Sequence, residues 1–333
     1  MHTPHKSQFG QIQAASFRPS FAWRNPHLQT IVPKFFIKSP NCIMRTERIT
    51  TPDNDFLDLA WSVPDSPKAM VVLFHGLEGS SESHYIKHLI ISLNNAGFGA
   101  VLMHFRGCSG EPNLRPKAYH SGATFDPEFI IPIIKQRYAA LPLLAVGFSL
   151  GGNMLMKLMA NYSHLPIDGS VSVSAPLNLA ASSEAINKGF ARVYQRHLMR
   201  SMKANIIKKM HLVDMSNDLL VSNHDIHKMT RFRQFDDHIT SVLHGYKDAD
   251  DYYTKCSALP DLHKIQKPTL IIHAADDPFM NDKVIPTQTQ INSNIAYELS
   301  QYGGHVGFLT GLSARDKLWL PPRITDFVSE LTC

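Results

Sequence analysis

The sequence predicts an α/β fold in which a mainly parallel central sheet is covered by helices on both faces. Short apolar runs with the length of a buried strand, such as residues 70–74, 143–146 and 270–273, recur along the chain. Helical patterns separate these runs, and apolar strands that alternate with helices are typical of parallel sheets. The alternation stops between about residues 176 and 259, where the pattern stays helical. We therefore expect one α/β domain that carries a helical insertion.

The chain begins with a polar end that is followed by an aromatic arm. Residues 1–15 lack the apolar stretch of a secretory signal, and we expect them to be flexible. Residues 17–31 contain too many aromatic side chains for a disordered tail and too many prolines for a strand. We expect this arm to pack on the main domain, which is predicted to span residues 16–333.

The remaining elements follow in chain order from the same patterns. Residues 42–49 and 56–63 are predicted to form antiparallel strands around a Pro-Asp-Asn turn. The later elements are assigned from buried-strand runs or from helical spacing. The strands are predicted at 70–74, 100–105, 143–146, 171–173, 270–273 and 295–299, and the helices at about 85–96, 128–138 and 323–331.

The insertion is predicted at about residues 177–258. It is rich in Met, His and Lys and shows helical patterns at 192–202, 206–210 and 225–232. An insertion after the strand that follows residue 149 would lie over the carboxyl ends of the strands, where sites form in α/β proteins. We therefore expect it to act as a cap.

Composition and charge indicate an ordinary globular protein. The chain has 333 residues and a net charge of +5, with lysines and arginines dispersed along its length. This dispersion favours a solvated surface and argues against a nucleic-acid partner. No stretch approaches the roughly 18 apolar residues of a membrane-spanning helix, which leaves peripheral contact with a membrane open.

The cysteines indicate a reducing compartment. Cys42, Cys108, Cys256 and Cys333 are widely spaced and form no CxxC pair, so reduced thiols in the cytoplasm are the simplest interpretation.

Metal and cofactor motifs are weak, and no cofactor is expected. His84 and His88 have helical spacing but no third ligand with matching spacing, so we expect solvated helix residues. The acidic run at 248–251 lacks the glycine and glutamate of a calcium loop and is expected to be an exposed turn.

One motif stands in the context that nucleophilic catalysis requires. Gly147-Phe148-Ser149-Leu150-Gly151 follows a buried strand and precedes a helical pattern. A serine at such a strand-turn-helix junction occupies a strained turn, and glycines on both sides prevent a steric clash. The alternative is an incidental turn. The sequence predicts that Ser149 is a nucleophile.

A serine needs a base, and the base needs a group that orients it. His305 lies between glycines in a loop after the last predicted strand, and Asp276 and Asp277 follow the strand at 270–273. This is the chain order serine, acid, histidine. The residues themselves do not decide which aspartate contacts the histidine; the other one would brace the loop or cap a helix.

An anionic intermediate would need two backbone donors, one after the nucleophile and one after an early strand. The N–H of Leu150 is the first candidate. The strand at 70–74 runs into His75-Gly76-Leu77, so the N–H of Leu77 is the second.

Further motifs, in addition to the one around Ser149, resemble those of a known family. They are Arg24–Thr30, His75–Ser81, Phe105–Asn113, Tyr119–Gly122, Phe232–Asp237 and Tyr246–Tyr253. On these residues the chain is identified as a member of the YheT-like branch of the α/β-hydrolases, the AB hydrolase 4 family. The resemblance implies an α/β-hydrolase fold, carboxylic-ester hydrolysis and a catalytic triad of Ser149, Asp277 and His305.

The predicted function is that of a serine carboxylesterase acting on small-molecule or lipid-like esters, with short to medium acyl chains. Two alternatives stay open at this stage. The same site could transfer the acyl group to an alcohol, or the fold could serve as a non-catalytic binding protein.

Overall fold

The computed structural model describes residues 7–311 and 318–332. Its strands are β1 (Gln11–Ala14), β2 (Arg45–Thr50), β3 (Phe56–Ser62), β4 (Met70–Phe74), β5 (Gly99–Met103), β6 (Leu143–Phe148), β7 (Gly169–Val173), β8 (Thr269–Ala274) and β9 (Ile295–Ser300). Its α-helices are α1 (Pro26–Phe35), α2 (His84–Asn95), α3 (Phe125–Arg137), α4 (Leu150–Asn161), α5 (Leu179–Ala185), α6 (Ala191–Met210), α7 (Asn223–Lys228), α8 (Phe232–Phe235), α9 (Ser241–His244), α10 (Ala249–Cys256) and α11 (Leu320–Thr332).

The described strands form one sheet in the order β1-β9-β8-β7-β6-β4-β5-β3-β2. β3 pairs antiparallel with both β2 and β5, and the other neighbours are parallel. The predicted α/β class with a mainly parallel sheet is therefore confirmed. Because β6, β8 and β9 are parallel, their carboxyl ends meet at one edge of the sheet.

Apolar side chains cover both faces of this sheet. Val72 of β4 packs in one buried cluster with Ile130 of α3 and Met154 of α4. Its neighbour Val71 belongs to the cluster on the opposite face, which includes Phe327 of α11. Successive side chains of a strand point to opposite faces, so a strand between two helical layers is apolar throughout.

The N-terminal end differs from the expectation of a flexible segment over residues 1–15. Residues 11–14 form the edge strand β1, which pairs in parallel with β9. The strand has the short, mostly polar sequence Gln-Ile-Gln-Ala, in which only the Ile12 side chain packs against the core. Backbone hydrogen bonds to β9 therefore hold the strand in place. Residues 1–6 lie outside the described part of the chain.

Helices α5 to α10 occupy the chain between β7 and β8, and we call residues 177–258 the insertion. The insertion has an apolar cluster of its own, which includes Met199, Ile226 and Phe235. It is tied to the sheet domain through Asn153, whose amide donates to the Cys256 carbonyl at 2.8 Å. Within residues 7–311 and 318–332, no helix combines the length and the apolar character that crossing a membrane requires.

Candidate active site

Ser149 lies in the sharp turn between β6 and α4, with φ 50° and ψ −120°. Residues other than glycine seldom adopt this backbone conformation. The Ser149 N–H donates to the Val173 carbonyl at 2.8 Å, which fixes the turn to β7. A Cβ at Gly147 would collide with the backbone of Gly151, and a Cβ at Gly151 would lie 2.7 Å from the Phe74 carbonyl oxygen. The turn can close because both positions lack a side chain.

The loop after β9 brings His305 to this serine. His305 Nε2 lies 2.9 Å from Ser149 Oγ, and His305 Nδ1 lies 2.8 Å from Asp277 Oδ2. The Asp277 carboxylate is buried, and its second oxygen accepts the Phe279 N–H at 2.8 Å. The carboxylate therefore favours the tautomer with the proton on Nδ1, which leaves Nε2 free to accept the serine proton. The Phe279 ring stacks on the imidazole with centroids 4.0 Å apart.

The two adjacent aspartates have different partners. Asp277 contacts the imidazole, whereas Asp276 Oδ1 accepts the backbone N–H of Gly304 at 2.9 Å. Burial raises the pKa of Asp276 to about 6. Asp276 thus braces the loop that carries His305.

The arm supports the same loop, a contact that the sequence did not predict. Thr30 Oγ1 accepts the His305 N–H at 3.0 Å. The fully buried Gln29 amide donates to the Leu309 carbonyl at 2.9 Å and accepts the Leu309 N–H at 2.6 Å. A Cβ at Gly307 would collide with the Gln29 backbone. Gln29 and Thr30 both belong to the arm motif at residues 24–30, and this motif was the only sign in the sequence that the arm contributes to the site.

Leu77 and Leu150 lie at the mouth of the turn, and both line the cavity that contains Ser149 and His305. A Cβ at Gly76 would lie 3.1 Å from Ser149 Cβ, so the loop after β4 approaches the serine closely. The Leu150 N–H belongs to the first turn of α4, whose amides have no carbonyl partner within the helix. The positive end of this helix dipole points at the same place.

His75 anchors the loop that carries Leu77. Its Nε2 accepts the Phe105 N–H at 3.1 Å, so its Nδ1 carries the proton and donates to the Gly76 carbonyl at 2.7 Å. Burial lowers the pKa of His75 to about 3, which keeps the ring neutral.

Glu78 joins this loop to the insertion, and sequence reasoning had given it no role. It has a positive φ of 57°, and its carboxylate accepts the Tyr119 hydroxyl at 2.9 Å. The other carboxylate oxygen accepts the Ser201 hydroxyl and the Asn205 amide of α6, both at 2.5 Å. One side chain next to Leu77 therefore holds the loop against α6.

Two cavities meet at Leu77 and Leu150. The cavity at Ser149 has a volume of about 120 Å³, and the insertion supplies apolar wall residues that include Leu198, Met202 and Phe232. The second cavity is larger, at about 310 Å³. Its polar lining includes Glu78, Asn113, His120, Asn205, Lys209 and His244.

The weaker candidates form no site in the described residues. His84 and His88 are half-buried on α2 rather than solvated, and burial lowers the pKa of His84 to about 4. Among residues 7–311 and 318–332, no group of three or more His, Cys, Asp or Glu could hold a metal ion. In the acidic run, Asp248 caps α10 and Asp250 pairs with Arg233 at 2.6 Å.

Sequence comparison finds similarity across most of the chain. A profile of the alpha/beta hydrolase fold matches residues 69–312. The chain is 44% identical to the Escherichia coli (strain K12) protein named "Putative esterase YheT" over 320 residues, which covers 95% of this chain and 94% of that protein. It is 31% identical to human "Phospholipase ABHD3" over 314 residues, which covers 91% of this chain and 76% of that protein.

Structural comparison finds the same fold at low sequence identity. The Pyrococcus furiosus esterase Pf2001 in space group C2221 superimposes with a TM-score of 0.56 at 14% identity. The match covers 99% of this chain and 98% of that chain.

Proposed function

Because the chain belongs to the alpha/beta-hydrolase family, in the YheT-like branch that its motifs indicated, we propose that it is a serine carboxylesterase. The observation that carries the proposal is a continuous hydrogen-bonded chain. It runs from the buried Asp277 through His305 to Ser149, with contacts of 2.8 and 2.9 Å. An ester carbonyl in the adjoining cavity would meet the serine hydroxyl and its base together.

In the first half-reaction, Ser149 Oγ attacks the ester carbonyl carbon while His305 Nε2 takes the hydroxyl proton. The negative charge moves to the carbonyl oxygen, where the N–H groups of Leu77 and Leu150 donate to it. Each such donor stabilises the transition state by roughly 3 kcal/mol. Asp277 stabilises the imidazolium, which then gives its proton to the departing alcohol.

In the second half-reaction, water replaces the alcohol. His305 takes a proton from the water, whose oxygen attacks the acyl carbon. The tetrahedral intermediate collapses, the bond to Ser149 Oγ breaks and the imidazolium returns the proton to the serine. The products are a carboxylic acid and the free enzyme.

The two cavities support a proposal for the substrate class. A volume of about 120 Å³ at Ser149 is small beside the roughly 300–1,000 Å³ of most ligand pockets, which favours a short to medium acyl chain. We propose that the acyl group occupies this apolar cavity and that the alcohol portion faces the polar one. Since α6 borders both, we also propose that the insertion is a cap that limits which esters reach Ser149.

We propose the cytoplasm as the compartment. Cys42, Cys108 and Cys256 are free thiols, which supports a reducing environment. Cys333 lies outside the described residues.

Hydrolysis of a p-nitrophenyl ester series with increasing acyl length tests the proposal. Ser149→Ala should lower kcat by on the order of 10⁶-fold, since it removes the nucleophile. A fluorophosphonate probe should label the wild type and leave the variant unlabelled. Thermal unfolding of both proteins is the control, because loss of the hydroxyl alone should leave the packing of the turn intact. Wild-type turnover by Ser149→Ala would refute the assignment.

A further inference from the structure

The acidic residues of this chain are distributed unevenly. Residues 1–46 contain no Asp or Glu but six Lys or Arg, and residues 185–213 contain none but seven Lys or Arg. We call these two stretches the acid-free segments. They leave 20 of the 33 basic residues and all 28 acidic residues to the rest of the chain. The basic residues are dispersed along the chain, but in these two segments no acidic residue offsets them. The net positive charge is therefore concentrated in two places.

Helices α1 and α6, one from each acid-free segment, pack against each other in the fold. The His27 ring of α1 lies 4.5 Å from the Phe190 ring at the start of α6, and His27 Nδ1 lies 3.1 Å from Tyr194 Oη. Two turns further along α1, Lys34 Nζ lies 3.3 Å from His197 Nε2. The helices run side by side, so their charges add. We call their exposed surface the α1–α6 face.

The arginines of α6 form a stripe on the exposed flank of that helix that faces residues 227–231. Arg192, Arg196 and Arg200 are exposed and follow at intervals of four residues, so they lie on one side of the helix. In the described part of the chain, none of the three makes an ion pair or a side-chain hydrogen bond. They border an open depression that Lys203 and Arg231 also line, with no carboxylate in its lining. Like charges at this spacing destabilise a helix, and an external anion would relieve this repulsion.

Apolar side chains project from the same two helices. Leu28 and Phe35, seven residues apart on α1, are 42% and 65% exposed, and the adjacent Phe36 is 76% exposed. At the start of α6, Phe190 is 51% and Val193 48% exposed. Single exposed apolar residues are ordinary, but several on neighbouring helices mark an interaction site. Aromatic and aliphatic side chains beside Lys and Arg are typical of helices that lie in a lipid interface.

We propose that the α1–α6 face docks on the surface of an anionic lipid bilayer. The cations would meet the lipid headgroups, and Leu28, Phe35 and Phe36 would enter the boundary between headgroups and acyl chains. A second copy of the chain fits this face poorly, because a symmetric contact would bring two positively charged surfaces together.

The α1–α6 face lies close to the proposed catalytic residues, which agrees with a lipid bilayer as its partner. Tyr194 of α6 lies 5.2 Å from the Phe279 ring, which in turn stacks on His305. Thr30 of α1 holds the His305 backbone. A chain docked through α1 and α6 would bring its active-site entrance close to the bilayer surface.

Vesicle sedimentation tests the proposal with the full chain. The protein is mixed with vesicles of phosphatidylcholine alone or of phosphatidylcholine with phosphatidylglycerol, at low and high salt. We expect binding to the anionic vesicles only, and weaker binding as salt rises. Arg192→Gln/Arg196→Gln/Arg200→Gln should weaken binding by on the order of a hundredfold, given about fivefold per cation near the surface. Phe35→Ser/Phe36→Ser should weaken it by at least about tenfold.

Matched controls separate the face from net charge and general apolarity. Lys247→Gln/Lys255→Gln/Lys264→Gln removes three exposed cations outside the acid-free segments. Leu114→Ser/Leu220→Ser removes two apolar side chains exposed elsewhere. Both controls should bind as the wild type does. All variants should keep wild-type hydrolysis of a water-soluble p-nitrophenyl ester, and Ser149→Ala should keep vesicle binding, so the docking and the esterase proposals fail independently.

Three results would overturn the docking proposal. One is equal binding to neutral and anionic vesicles, and another is an arginine variant that binds like the wild type. The third is a dimer without vesicles that Phe35→Ser/Phe36→Ser dissociates, which would assign the face to a second copy.

Discussion

The carboxyl edge of the sheet and the insertion enclose the same cavity from opposite sides, but they are built differently. The sheet edge holds Ser149, Asp277 and His305 in a network of short hydrogen bonds between side chains and backbone. The insertion contributes apolar walls such as Leu198 and Met202. Under the proposed function, the sheet edge therefore fixes the geometry of the reaction, whereas the insertion shapes what can reach it.

The glycines show the contrast directly. A Cβ at Gly147 or Gly151 in the turn would meet the backbone. At Gly189 or Gly245 in the insertion, a Cβ would meet no atom within 4 Å. Close packing makes the sheet edge intolerant of change, and the open surface of the insertion can vary without disturbing the reacting atoms.

Among the tests of this comparison between the sheet edge and the insertion, the largest effect, a loss of kcat, is expected at Asp277. Asp277→Asn keeps the shape of the side chain but disfavours the required imidazole tautomer, so kcat should fall by about 10⁴-fold with little loss of stability. Steady-state hydrolysis of a p-nitrophenyl ester measures this.

Asp276→Asn is the matched control, since an amide oxygen still accepts the Gly304 N–H; kcat should stay within about tenfold of the wild type. The measurement for this variant is the pH dependence of its free energy of unfolding. Because burial raises the pKa of Asp276 from 3.8 to about 6, the native state favours the protonated acid. Its contribution to the free energy of unfolding is therefore present at low pH and is lost as pH rises through about 6. The asparagine variant should lose this pH dependence; equal pH profiles for both proteins would contradict it.

The next effect contrasts the two kinds of glycine. Gly151→Ala should lower the free energy of unfolding by about 3 kcal/mol or more, because the new methyl group would press on the Phe74 carbonyl. Gly189→Ala should lower it by only about 1 kcal/mol, from its φ of +50° alone. Urea titration of both variants measures the difference. Similar losses at both positions would break the comparison.

The smallest effect is expected where the two regions touch. In Glu78→Gln, the amide has one acceptor oxygen, so it cannot accept from Tyr119 on one side and from Ser201 and Asn205 on the other, and a hydrogen bond worth about 1 kcal/mol is lost. The loop that carries Leu77 loosens, and kcat should fall by up to about tenfold. Ser201→Ala/Asn205→Ala breaks the link from the insertion side. It should lower kcat to a similar extent; an unaffected double variant would show that the insertion does not position the loop.

The sheet edge was largely predictable because local patterns encode it. Gly147 and Gly151 flank a serine between an apolar run and a helical pattern, and glycines flank His305 after the last strand. Each of these sequence patterns lies within a few residues of the site side chain that it predicts. The choice between Asp276 and Asp277 was beyond such reasoning, since adjacent carboxylates differ only in where the turn directs them.

The supports of the site could not be predicted in this way. Thr30 contacts His305 across 275 residues, and Glu78 contacts Ser201 across 123. No local periodicity encodes a contact between two loops or between a loop and a distant helix. β1 was missed for a related reason: its four residues are too few to give a strand pattern, and they are ordered by pairing with the distant β9.

The hydrogen bond between His305 and Thr30 joins two segments that lie 275 residues apart in the sequence. During synthesis, residue 30 emerges from the ribosome well before residue 305, and β1 emerges before β9, with which it pairs. Until the segment around residue 305 emerges and folds back onto α1, Ser149 Oγ lacks its contact with His305 Nε2. Under the proposed function, a nascent chain would therefore not attack esters before residue 305 has joined the fold.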